Sequence, residues 1–193
     1  MSGDESTLTI ITDTLQELNY DINIQILDSS DFGLPQKRKR IFIVGFLREN
    51  FPFLSGFKFP KPKGEKVFVN SILEKNISGY SISKHLQKTY MFKIDDGRPE
   101  LVDENSTFQA KTLVSTYHKI QRLTGTFVKG GETGMRLLSE KECKRLMGFP
   151  DNFIIPVSRT QMYRQFGNSV AVPVVNAIAD EVYKTLACIY EVK

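Results

Sequence analysis

The residues from Asp31 to Phe46, DFGLPQKRKRIFIVGF, limit what this chain can fold into more than any others. A turn through Gly33 and Pro35 runs straight into Ile41-Phe42-Ile43-Val44, a β-branched and aromatic run that predicts a buried strand. Ahead of that run Gln36, Arg38 and Arg40 occupy alternate positions. Side chains two apart on a strand share a face, so with a start near Arg38 all three are expected to project together from the mouth of a sheet. Arginine pairs in a planar fork with phosphate oxygens or a base edge and stays charged at any working pH. A strand entrance is also an ordinary place for solvated basic residues, so the pattern alone leaves both readings open.

Charge sharpens the question. The net charge is only +4, but from Met1 to Pro35 the charged residues are all acidic: Asp4, Glu5, Asp13, Glu17, Asp21, Asp28 and Asp31. From Gln36 to Lys66 the basic residues Lys37, Arg38, Lys39, Arg40, Arg48, Lys58, Lys61, Lys63 and Lys66 face only Glu49 and Glu65. Such a switch fits one surface that meets a polyanion, or a solvated loop.

Two later stretches decide between these readings. Arg136 to Pro150, RLLSEKECKRLMGFP, and Gln165 to Pro173, QFGNSVAVP, follow the first stretch in order. A Q-x-R-x-R strand entrance, a variable middle, an Arg-Leu to Gly-Phe-Pro helix and a G-N-S-V turn, in that sequence, resemble the C-terminal half of the C5-cytosine DNA methyltransferases, over nearly the whole chain. The resemblance implies an α/β fold: the C-terminal portion of a Rossmann-like S-adenosylmethionine-dependent methyltransferase sheet, one helix plus an antiparallel strand pair, with a small mixed target-recognition domain and C-terminal helices. The expected segments are 1–47, the last helix and strand pair; 48–135, linker and target-recognition domain; and 136–193, helices returning to the catalytic domain.

That family also has a glycine-rich cofactor loop, a Pro-Cys nucleophile and a Glu-Asn-Val acid, all before its Q-x-R-x-R strand. None is in this sequence, and neither Cys143 nor Cys188 follows a proline. Cys143 shares a predicted helix with Leu146 and Met147 and reads as core. Two lone cysteines point to no disulfide framework or zinc site, which fits a reducing cytoplasm, and no run is apolar enough for a membrane span. The acidic start MSGDEST is unlike a basic leader.

Along the chain, Ser6 or Thr7 is placed to cap a helix with Leu8, Ile11, Leu15 and Leu18 on one stripe, ending near Asn19. Ile22, Ile24 and Ile26 alternate as a strand. From Arg48 to Lys66, Phe51, Phe53, Phe57 and Phe59 alternate with prolines, which forbids a central strand; the rings either pin the linker or stack on bases. Short helices are expected at Val69 to Glu74 and Ser83 to Tyr90, and short strands at Thr112 to Tyr117 and Gly125 to Val128. Ser139 with Glu142 predicts a capping box and Gly148 the stop of that helix. Ser158 with Gln161 repeats the signature, with Gly167 as the expected stop. Pro173 then opens a last helix with Val175, Ile178 and Val182 on one face.

On the resemblance, Arg40 would hydrogen-bond a cytosine flipped out of the duplex, while Gln36 and Arg38 position the loop and backbone around it. Asn168, Ser169 and Val170 would complete an S-adenosylmethionine pocket. Lys111, Thr112 and Leu113 resemble the Thr-Leu opening of a DNA-facing loop, with His118, Lys119 and Arg122 downstream as donor and acceptor types, and Arg136 bracing the junction. The expectation is the C-terminal component of a split DNA cytosine-5 methyltransferase in a restriction-modification setting. It acts on double-stranded DNA and needs a partner subunit that carries Pro-Cys and Glu-Asn-Val, and Met1 falls where a family member has just passed the latter. A non-catalytic DNA-binding module and an inert truncated remnant are the alternatives.

Overall fold

The computed structural model describes residues 2–51 and 56–190, with side chains for 7–51 and 56–187. The side chains of Ser6 and Cys188, and Phe53 as a whole, lie outside them. The chain divides into two compact units, one of Met1–Leu27, Lys39–Lys61 and Asn176–Lys193, the other of Asp28–Arg38 and Pro62–Val175. Residues 136–175 therefore lie in the same unit as the recognition region before them, and the chain enters the first unit again at Asn176.

In the first unit, helix α1 (Ser2–Glu17) leads into strand β1 (Tyr20–Asp28). The helix begins ahead of Thr7, so that residue is inside it rather than at its cap. Asn19 takes a left-handed φ of 66° and turns the chain into β1. Strand β2 (Lys39–Leu47) pairs with β1 in a two-stranded sheet. The Ser29 amide bonds the Arg38 carbonyl and the Arg48 amide bonds the Asn19 carbonyl, which makes the pair antiparallel. Counting back from Ser29 and forward from Arg38 sets Ile26 opposite Ile41 and Ile24 opposite Ile43. Alternation puts them, with Ile22, on one face, of which Ile26 is 60% and Ile41 50% exposed. The buried-strand expectation for this run is thus corrected: along β2 only Phe46 is buried. Phe46 packs on Phe57, which in turn meets Phe59 edge-on with ring centroids 5.1 Å apart, so these linker rings are pinned rather than free.

The second unit holds the buried core. A three-stranded sheet pairs β3 (Glu100–Val102) parallel to β4 (Thr126–Lys129), which runs antiparallel to β5 (Met135–Arg136). Phe127 and Met135 from this sheet cluster with Leu138, Cys143, Leu146 and Tyr163. Tyr117 stacks on Phe127; its hydroxyl donates to the Thr126 carbonyl at 2.6 Å and accepts the Leu138 amide at 3.0 Å. The helix expected at 69–74 is a single tight turn, Val69–Ile72. The one from Ser83 is α2 (Lys84–Leu86), which widens into a π turn through Met91.

Helix α3 (Glu140–Met147) has both halves of the predicted capping box, and Gly148 ends it at φ 79°. Helix α4 (Arg159–Asn168) is capped by Ser158 but runs through Gly167, contrary to the expected stop. A Cβ on Gly167 would sit 2.1 Å from the Ser115 nitrogen, so close backbone approach demands the glycine there. In α5 (Val172–Tyr190) the expected Ile178 is buried and Val182 half-buried, but Val174 takes the inward place expected of Val175, which is 37% exposed.

Candidate nucleic-acid interface

The turn before β2 is built by two side chains that never reach solvent. Gln36 is fully buried: Nε2 donates to the Leu146 carbonyl at 2.7 Å and Oε1 accepts the Leu113 amide at 3.1 Å. Arg38 is 2% exposed and donates to the carbonyls of Leu113 (2.9 Å), Gly167 (2.9 Å) and Ser169 (2.7 Å). These bonds occupy both backbone groups of Leu113, within Thr112 to Tyr117, where the expected strand does not form. They also correct the expectation that Gln36, Arg38 and Arg40 project together. Arg40, on β2, is exposed, and its Nη1 donates to the Lys39 carbonyl at 2.7 Å.

Asn168 and Val170 are exposed at the turn between α4 and α5, while Ser169 is half-buried and its hydroxyl donates to the Phe166 carbonyl at 3.0 Å.

The residues expected to meet DNA separate into two groups. Lys119 is exposed; Lys111 and His118 are half-buried, with Lys111 Nζ 3.2 Å from the Leu123 carbonyl and His118 Nδ1 3.2 Å from that of Ser115. Thr112 donates its hydroxyl to the Lys37 carbonyl at 2.6 Å. Leu113, Arg122 and Arg136, by contrast, are buried, which corrects their placement among the DNA contacts. Arg136 is locked in a two-pronged pair with Glu142, both bonds at 2.7 Å, and also donates to the Glu74 carbonyl. Both terminal nitrogens of that guanidinium are spent inside the protein, and the side chain is only 4% exposed. Arg122 is spent in the same way on residues 91–98, a loop that sequence reasoning missed; the Asp95-Asp96-Gly97 turn was its one visible signal.

The basic run is otherwise open. Lys37, Lys63 and Lys66 are exposed in the second unit, and Lys39, Arg40, Lys58 and Lys61 in the first. Arg48 is paired with Asp21 at 2.7 Å. Cys143 is fully buried, and burial, followed by Glu142 and Glu140, pushes its thiol well above its ordinary value. A nucleophilic cysteine has the opposite setting, open and electropositive. Among the described residues no helix is long and apolar enough to cross a membrane, and no cluster could hold a metal ion.

Comparison with known proteins places these features. The sequence matches the profile of the family described as C-5 cytosine-specific DNA methylase over residues 2–184, and the chain belongs to that family. It is 58% identical over 179 residues to the type II methyltransferase M.MspI of Moraxella sp, which covers 93% of this chain and 42% of that protein. Against M.BsuFI of Bacillus subtilis it is 58% identical over 175 residues, again spanning 42% of the relative. The chain thus spans less than half the length of these relatives. The fold resembles the Entamoeba histolytica methyltransferase EhMeth with a TM-score of 0.72 at 21% identity, covering 93% of this chain and 58% of that one. It resembles S. pombe Dnmt2 with a TM-score of 0.68 at 19% identity, covering 94% and 62%.

Proposed function

We propose that this chain is the target-reading, C-terminal component of a DNA cytosine-5 methyltransferase, active together with an N-terminal part that carries the Pro-Cys and Glu-Asn-Val motifs. The observation that carries the reading is the division of labour in one short stretch: Gln36 and Arg38 are buried on backbone partners, whereas Arg40 keeps an exposed guanidinium. Two buried residues form the frame and a third is left for a ligand. In this reading the strand pair and α1 are one edge of a Rossmann-like sheet whose remaining strands come from the N-terminal part. Two strands and a helix cannot cover both faces of a sheet, and the exposed isoleucines of β1 and β2 fit that arrangement.

Methylation at cytosine C5 requires a thiolate added at C6, and this chain's buried Cys143 is unsuited to supply it. S-adenosylmethionine, when bound, supplies the methyl group, with Asn168 and Val170 on one edge of its site. Arg40 donates to the flipped base, and its bond strengthens as charge develops on the ring. Lys37, Lys63 and Lys66 neutralise phosphates, a term that sets affinity and its salt dependence. Lys111, His118 and Lys119 lie beside the Thr112 turn and read or flank the target sequence.

The test is transfer of labelled methyl groups to DNA by this chain alone, by the N-terminal part of a relative alone, and by the two mixed. Transfer by the mixture only is the expected result. DNA binding without restored transfer would favour a non-catalytic module, and transfer by this chain alone, abolished by Cys143→Ala, would overturn the reading.

A further inference from the structure

Residues 151–157, between α3 and α4, form a short loop that turns its apolar side chains outward. Phe153 is 44% exposed, Ile154 82% and Val157 39%. In this loop Ile155 alone packs inward, against the buried core. Both ends of the loop are tied down. At the start Arg145 holds Asp151 in a two-pronged pair, at 2.9 and 2.7 Å, with Lys141 at 3.3 Å, and the Phe153 amide bonds the Pro150 carbonyl. At the end Ser158 caps α4, and Arg159 lies over the Tyr80 ring and donates to the Gly79 carbonyl at 2.6 Å.

Single exposed apolar side chains are ordinary on a folded surface, but here three fall within five residues on a loop anchored at both ends. Holding Ile154 out in water brings the isolated chain no packing, and the anchors fix the loop in that outward form. A loop fixed before contact avoids the ordering cost that a mobile one carries into a complex. Charge decides the kind of partner. Between Arg145 and Arg159 the only charged residue is Asp151, and both flanking arginines are engaged as above. A duplex demands cations for its phosphates, so the patch fits an apolar protein surface instead.

The patch also lies beside the turn of residues 168–170. The Phe153 ring packs on Phe149 with centroids 4.9 Å apart, and Phe149 meets Phe166 edge-on at 5.4 Å. The Phe166 carbonyl accepts the Ser169 amide at 3.2 Å and its hydroxyl at 3.0 Å, and Val170, next along, is 49% exposed. We infer that Phe153, Ile154 and Val157 are a docking surface for the N-terminal part, which closes on this loop where it completes the cofactor site at Asn168 and Val170. The inference rests on the two-part reading proposed above. Its occupant follows from that position and from length: the chain spans 42% of each of the two relatives, and in that reading the remainder reaches the 168–170 turn.

The experiment mixes the full chain with the N-terminal part of the Moraxella relative. Wild type is compared with Ile154→Ser, with Ile154→Ser/Val157→Ser and with the control Leu123→Ser, which alters a 54% exposed leucine elsewhere in the same unit. The readouts are the association constant, the affinity for duplex DNA, the urea midpoint of the chain alone, and hydrogen exchange of the amides between residues 152 and 157. The double variant is expected to weaken association by roughly tenfold or more, the single variant by less, and Leu123→Ser not at all. In the wild-type mixture the loop amides are protected. Urea midpoint and DNA affinity of the two loop variants stay at the wild-type level, because these side chains stand clear of the core and carry no charge. Undiminished association of the double variant, or unprotected loop amides in a mixture that does associate, overturns the inference. So does an equal loss of DNA affinity, which would set the loop on the duplex. Protection in the chain alone that rises with its concentration would make a second copy the occupant, and overturns it too. A wild-type chain that does not associate with the N-terminal part removes the two-part reading itself, before any variant is compared.

Discussion

Arg38 and Gly167 meet across 129 residues of chain: Nη2 of the arginine donates to the glycine carbonyl at 2.9 Å. The same guanidinium holds Leu113 and Ser169, so two segments distant in sequence converge on one side chain. Replacing it by methionine leaves three inward carbonyls without that donor. Arg38→Met is expected to lower stability by about 3 kcal/mol, since each buried group left unsatisfied costs on the order of 1 kcal/mol or more. Urea unfolding of the chain measures it, and a midpoint unchanged from wild type would refute the clamp.

At Gly167 the obstacle is steric. An added Cβ would lie 2.1 Å from the Ser115 nitrogen and 2.3 Å from the Val114 carbonyl carbon, both backbone atoms that cannot swing aside. Gly167→Ala should therefore cost about 3 kcal/mol, in the range of overpacked cores. Gly97→Ala, at φ 71° with nothing within 4 Å, should cost only about 1 kcal/mol from backbone strain. The comparison of the two unfolding midpoints is the check.

Arg136 and Glu142 form a buried ion pair, their side chains 4% and 0% exposed. Glu142 also accepts the Ser139 amide, the return half of the capping box. Glu142→Gln retains the shape and much of the cap but strands the arginine charge. The expected loss is about 3 kcal/mol, against about 1 to 2 kcal/mol for Ser139→Ala, which removes the capping bond and the hydroxyl's bond to Glu74.

The buried thiol of Cys143 and the buried phenols of Tyr117 and Tyr163 are all held neutral by desolvation, with values pushed above their ordinary ones. Below those ordinary values neither the folded nor the unfolded chain ionises, so these groups leave stability independent of pH. Above them the unfolded chain releases protons that the folded chain keeps, and stability falls as pH rises. The slope should reach roughly 1.4 kcal/mol per pH unit for each group once the unfolded thiol, then the phenols, ionise. Urea midpoints measured from neutral to alkaline pH read this directly. Peptide mapping after alkylation should find Cys143 unmodified until the chain unfolds.

Arg40 and Lys61 should separate rate from affinity once the chain is combined with an N-terminal part. Arg40→Ala is expected to slow single-turnover methylation by roughly a hundredfold, the usual consequence of losing one preorganised donor, with little effect on DNA affinity. Lys61→Ala should do the reverse, because a phosphate contact stabilises ground and transition states alike. Equal losses of rate and affinity in Arg40→Ala would make it one more phosphate clamp.

What could be read beforehand was local. The Ser139–Glu142 box, the Gly148 stop and the strand character of the β2 run, though not its burial, depend on neighbours a few residues away, and the structure has each of them. What could not be read was the destination of long side chains. Alternation in Gln36, Arg38 and Arg40 described a strand face, but the first two residues precede β2 and turn inward to partners 75 to 131 residues distant. Arg122 and Arg136 carry the composition of a DNA surface, and only their acceptors, Asp96 and Glu142, tell otherwise. Gly167 resembled a helix stop because a glycine required by a distant backbone has no local mark.

The isoleucine face of the strand pair has a practical consequence. Ile24, Ile26 and Ile41 present branched hydrocarbon to water, and charge reaches that face only at its end, at Asp28 and Lys39. Two copies gain by hiding those faces from the solvent, and the gain grows with concentration and with salting-out ions. Handled by itself, this chain carries a patch of sheet that favours self-association, while its +4 net charge offers only modest repulsion to keep the copies apart.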